Sequence, residues 1–189
     1  MTPQTQVSQL LASVLQRAGE GERVTVLDVG PALPETVAFF AAAPCTLHIA
    51  DLFRDLPLLP EEGGITYLEQ FRMLLPLAPD TRFDICLFWD LFNYLPEAAA
   101  RALLQLLRPH LHPGTRGHAF SVHKRGAPED SRIHGIRSAD TLTLRARRQP
   151  LAGYAPMPQA RLQEVLADFR FERSVLLADS RLELLLRRR

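Results

Sequence analysis

A chain of 189 residues that is 47% hydrophobic and 23% charged has the apolar material for one sizeable core, and no long low-complexity linker divides it, so residues 1–189 read as a single domain. A formal net charge of +1 disfavours nucleic acid and anionic membranes as partners, and no apolar run reaches the roughly 20 residues that a membrane span needs. Cys45 and Cys86 each lie in or beside an apolar run and read as buried structural thiols, which argues against a disulfide framework or a zinc site.

Residues 1–20 carry Val7, Leu10, Leu11, Val14 and Leu15 at helical spacing and predict an amphipathic helix. The stretch has neither the basic lead nor the small-residue cleavage site of a secretory signal, so a cytoplasmic location is expected. Gly19 and Gly21 punctuate the chain before "RVTVLDVG" (23–30), a buried strand. Pro34 then suits the first turn of a helix and Glu35 its positive end, with Val37, Phe40 and Ala41 as the inner face. "TLHIAD" (46–51) is the next strand, "LFRDLPLLPEEGG" a proline-broken connection, "ITYLEQF" (65–71) a short strand, and "FRMLLPLAPD" a further connection. "FDICLFWD" (83–90) is the most strand-like run in the chain and reads as covered on both faces.

From Pro96 to Arg108 the spacing is helical again, with Ala99, Leu103, Leu106 and Leu107 inward and Arg101, Gln105 and Arg108 outward. "HPG" (112–114) is expected to stop that helix and "GHAFSV" (117–122) to form a strand. The arginine-rich stretch from His123 to Gln149 is too long for an ordinary connection, and residues 123–155 are expected to form a variable lid on the substrate side. Leu162, Val165, Leu166 and Phe169 mark a last helix. Two extended runs joined at 178–180 must form an antiparallel hairpin, because parallel neighbours need a longer crossover.

Five strands separated by helices and closed by a hairpin predict an α/β fold with a mostly parallel, doubly wound sheet. Such sheets bind ligands at the carboxyl ends of their strands, which selects Asp28 to Pro34, Asp51, Glu69, Gln70 and Trp89 to Tyr94. Asp51 follows Asp28 at close to the separation of about 20 positions at which a second-strand carboxylate holds the hydroxyls of a ribose.

"VLDVGPA", "LHIADL", "ITYLEQF" and "FDICLFWDLFNYL" resemble, in order and spacing, the successive motifs of class I S-adenosylmethionine-dependent methyltransferases, over nearly the whole chain. "WDLFNYL" looks like a variant found in some bacterial members. The resemblance implies a Rossmann-like, seven-stranded sheet and S-adenosylmethionine as cofactor, with a small-molecule or protein acceptor. It implies cofactor contacts from Asp28, Gly30, Pro31 and Ala32 in the first motif and from Asp51 and Leu52 at the ribose. Glu69 and Gln70 would lie near the adenine, and Trp89 at the end of the fourth strand. The chain departs from the family at Ala32 and Pro34, where glycine is usual; proline fixes φ and removes a donor N–H. The alternative is therefore a catalytically silent methyltransferase-like domain that binds another protein.

Methyl transfer needs positioning, desolvation and at most a base. Asp90, Asn93 and Tyr94 are placed to orient an acceptor and His123 to take its proton, while a capping role for Asn93 and Tyr94 and a solvated strand end for His123 are the bland alternatives. Other patterns are weaker. His110 and His112 lack further ligands for a metal, His118 and His134 have no assignable partner, and no serine sits in a G-x-S-x-G elbow. Arg137, Arg145, Arg147 and Arg148 form a group that meets an acidic substrate, RNA or only solvent, and with few interleaved aromatics the solvated face is favoured. A nicotinamide-dependent oxidoreductase is disfavoured, because its pyrophosphate needs the glycines that are missing.

Overall fold

A computed structural model describes residues 4–19, 21–59, 64–123, 129–130 and 132–189. Four parallel strands carry the fold: β2 (Val24–Asp28), β3 (Cys45–Ile49), β4 (Phe83–Trp89) and β5 (Leu111–Val122). The antiparallel hairpin β8 (Phe169–Leu176) and β9 (Arg181–Arg188) completes a six-stranded sheet in the order β3-β2-β4-β5-β9-β8. The helices are α3 (Pro34–Ala41), α4 (Tyr67–Leu74), α5 (Glu97–Leu107) and α6 (Gln159–Val165). Along β4 every residue but Asp84 is buried, as expected of a strand with both faces covered. The inner face of α5 is Ala99, Ala100, Leu103, Leu104 and Leu107.

Several expectations are corrected. The N-terminal segment is not one helix: Gln4–Val7 form a strand, β1, and only the short turns α1 (Leu11–Val14) and α2 (Gln16–Gly19) follow. "ITYLEQF" is not a strand, because Thr66 and Glu69 form a capping box and start α4 at Tyr67. Its loss makes the main sheet six-stranded rather than seven-stranded. "HPG" ends no helix; α5 stops at Leu107 and β5 runs through the motif.

The lid region is the largest surprise. Residues 124–128 and 131 of it lie outside the described residues, but Arg132–Ser138 and Thr141–Ala146 form a second hairpin, β6 and β7. It pairs with β1 in a separate antiparallel sheet of order β1-β7-β6. This sheet is fastened at both sides. The Ile136 N–H donates to Thr36 Oγ1 at 2.9 Å and Arg145 clamps Glu35 with a bidentate pair, both on the first turn of α3. Beyond β1, Ser8 Oγ and the Gln9 N–H donate to the fully buried Glu183 of β9, which His118 Nε2 meets at 2.8 Å.

Candidate functional site

The carboxyl ends of β2, β3 and β4 converge as the architecture requires, but the crevice between them is divided. Its first half is closed. Asp28, at the end of β2, accepts at Oδ1 from the Gly30 N–H (2.9 Å) and from Trp89 Nε1 (2.7 Å). Trp89 turns towards β2 because it ends β4 in the left-handed region (φ 52°), beside a register shift of that strand. Its ring lies against Gly30: a Cβ there would stand 3.1 Å from the indole. The imidazole of His134, from β6, is sandwiched above it, 5.6 Å from the Trp89 ring at 7° and 4.8 Å from Phe120 at 26°. Leu33 is buried under the same hairpin, where a Cβ at Gly135 would come within 2.8 Å of its Cδ1. Burial pushes the Asp28 carboxyl up to about 6 in spite of the two donors. Pro31 is half-exposed and Ala32 exposed, outside this packing.

The second half is open. A cavity of about 850 Å³ lies beside the end of β3, walled by Asp51, Phe53, Arg54, Leu56, Ile133 and the segment 145–152. That volume lies within the range of about 300–1,000 Å³ typical of small-molecule sites. Asp51 is half-buried, and its Oδ1 is shielded from solvent without a hydrogen-bond partner. Burial raises its pKa against the opposing charge of Arg147. The Arg147 guanidinium stands 4.5 Å over the Phe53 ring. Leu52 is buried and works through its backbone, its N–H donating to the Val29 carbonyl at 3.0 Å and so tying the two strand-end loops together.

Asp90 is buried beside His134 and outside the cavity lining. It is 5% exposed, its Oδ1 has no hydrogen bond, and His134 Nδ1 is 3.8 Å away. Burial pushes its carboxyl up to about 7, with Arg147 opposing. Burial, and next the charge of Arg181, hold His134 well below the ordinary histidine value, so this ring is neutral. Asn93 is buried and its backbone carbonyl accepts from the Ala155 N–H at 2.9 Å. The Tyr94 hydroxyl donates to Glu129 at 2.8 Å, and its ring meets Phe53 and Tyr154 edge-on. Burial, with the charge of Asp90 next, raises its pKa. His123 is exposed just past β5.

The remaining candidates serve the scaffold. Glu69 is exposed and accepts from the Thr66 N–H (2.8 Å) and hydroxyl (2.7 Å), while the Gln70 amide donates to the carbonyls of Leu59 and Ile65. Neither borders the cavity. His112 meets Asp84 and His110 the Thr81 carbonyl, and no cluster of metal-ligating side chains occurs among the described residues. Reading the sequence missed Phe53, Leu56 and His134, and it left Arg147 on a solvated face. Only the aromatic two residues past Asp51 carried a local signal.

No protein-family model matches the chain, and no curated protein does. Solved structures do. OxaC in complex with sinefungin and meleagrin superposes with a TM-score of 0.56 at 14% identity, over 97% of this chain and 48% of that one. The Burkholderia thailandensis 1,6-didemethyltoxoflavin-N1-methyltransferase, solved with 1,6-didemethyltoxoflavin and S-adenosylhomocysteine, gives 0.50 at 18% identity, over 95% and 77%. TehB from Haemophilus influenzae gives 0.50 at 11% identity, over 94% and 62%. The chain thus spans about half of OxaC and under two thirds of TehB. At these identities the likeness establishes a common fold.

Proposed function

We propose that this chain, which shares the fold of class I methyltransferases, transfers a methyl group from S-adenosylmethionine to a small molecule. The observation that carries the reading is Asp51: a half-buried carboxylate with an unpartnered oxygen, at the end of β3, beside a cavity of about 850 Å³. Such a carboxylate accepts from both hydroxyls of a ribose, and Leu56 and Leu151 offer apolar surface to a flat base.

The fit is good for the adenosine half of this cofactor and poor for the methionine half while the hairpin is closed, because the indole of Trp89 lies against Gly30 and His134 stacks above it. The reading therefore requires β6 and β7 to lift from α3 and the Trp89 indole to leave Gly30. When bound, the cofactor supplies an electrophilic methyl group on a sulfonium. Asp51 orients the sugar, and Asp90, with a carboxyl near pKa 7, takes a proton at Oδ1 from the acceptor.

The stack of Trp89, His134 and Phe120 favours a second reading, a domain whose cofactor crevice has closed permanently and whose scaffold binds a partner. Calorimetry with S-adenosylmethionine and S-adenosylhomocysteine separates the two. Micromolar binding that Asp51→Ala abolishes is expected. No heat at millimolar ligand removes the methyltransferase reading and leaves the second.

A further inference from the structure

Three guanidinium groups at the Asp51 cavity have no counter-charge in ion-pair contact. Arg54, Arg147 and Arg148 all line it, and among the described residues none has a carboxylate within ion-pair distance. Arginines elsewhere differ. Arg145, on the same wall, is neutralised by Glu35, and Arg181 lies between Asp130 and Asp179. Among the described residues Asp51 is the one carboxylate on the lining, so with Arg145 cancelled by Glu35 they carry an excess of positive charge.

Arg147 is also held in place. Its guanidinium stacks over Phe53 at 4.5 Å, and its Nε is shielded from solvent with no acceptor among the described residues. A buried donor without an acceptor is costly to leave unmade, and a planar fork over an aromatic ring is pre-organised for two parallel hydrogen bonds to an oxyanion. Arg54 and Arg148 are exposed and free to close on the same group. Leu56, Ile133 and Leu151 supply apolar wall beside them, so the cavity matches a molecule with an apolar body and an anionic end.

We propose that this cavity binds the carboxylate or phosphate of a small anionic molecule through Arg147, with Arg54 and Arg148 closing over it. That this molecule is the methyl acceptor rests on the methyltransferase reading; the anion site does not.

The test is calorimetry on the full chain without cofactor, using inorganic pyrophosphate and citrate as probes for the two kinds of oxyanion. Binding of at least one is expected, weakened by added salt and by about tenfold in Arg147→Met. The double substitution of the exposed Arg54 and Arg148 by glutamine leaves the folded core untouched and should weaken it several-fold. Arg170→Gln, exposed on β8 outside the cavity lining, should not change it. Absence of binding by both probes, or equal binding in Arg147→Met and the double variant, overturns the proposal. S-adenosylmethionine is titrated into the same proteins. If Arg147→Met binds it as the parent does, the anion belongs to the acceptor; if Arg147→Met loses it, the arginine holds the cofactor's own carboxylate and the acceptor assignment falls. Anion binding without any cofactor binding upholds the site and removes the methyltransferase reading.

Discussion

Asp90 shows what burial does to a single carboxyl. Its folded-state pKa, pushed up from an ordinary 3.8 to about 7, means that the folded chain holds the proton more tightly than the unfolded chain does. The resulting stabilisation is complete below the unfolded value and is lost as pH rises through about 7. Asp28, pushed up to about 6, acts in the same direction over a lower window. His134 acts oppositely, since a depressed histidine weakens the fold as pH falls below its unfolded value. The Asp90→Asn substitution removes the largest of the carboxylate effects without changing shape. Urea unfolding should find the variant more stable than the parent at pH 8, and the gain should exceed that at pH 5 by on the order of 2 kcal/mol. A gain that does not grow between the two pH values would show that Asp90 keeps an ordinary carboxylate pKa in the folded state, too weak a base to draw a proton from the acceptor near neutral pH.

The elements differ in how far local sequence determines them. Helix α4 depends on its first turn, where Thr66 Oγ1 accepts from the Glu69 N–H and the Glu69 carboxylate accepts from the Thr66 N–H. Thr66→Ala should therefore destabilise the protein by about 1 kcal/mol in chemical denaturation, with no effect on ligand binding at the Asp51 cavity. A threonine three residues before a glutamate is a local start signal for this helix, but the segment reads as a strand when that pair is overlooked. The core strands β2, β4 and β9 were legible from local sequence too, as short runs dominated by apolar residues. The hairpin β6–β7 was not. Its partner is β1, from the other end of the chain, and its arginines look like a solvated face until Glu35 and Phe53 are brought beneath Arg145 and Arg147. At the site, Asp28 and Asp51 followed from their positions at strand ends, whereas the cover of Trp89 by His134 and the wall of the cavity come from contacts across the fold that no spacing encodes.

At the scale of the molecule, the six-stranded sheet is a fixed platform and the β1-β7-β6 sheet is a cover pinned to α3 by few polar ties. If cofactor binding requires that cover to lift, the measured affinity is the intrinsic affinity multiplied by the fraction of molecules already open. Loosening the closed state then tightens binding, which is the reverse of what most substitutions near a site do. Thr36→Val is suited to this test, because valine keeps the volume of a buried side chain while leaving the Ile136 N–H without its acceptor, a loss of about 1–3 kcal/mol confined to the closed arrangement. Two outcomes should appear together: faster amide exchange at Ile136, and S-adenosylmethionine affinity raised by about tenfold for each 1.4 kcal/mol by which closure is weakened. Faster exchange with unchanged or weaker affinity would mean that the cover does not gate the crevice.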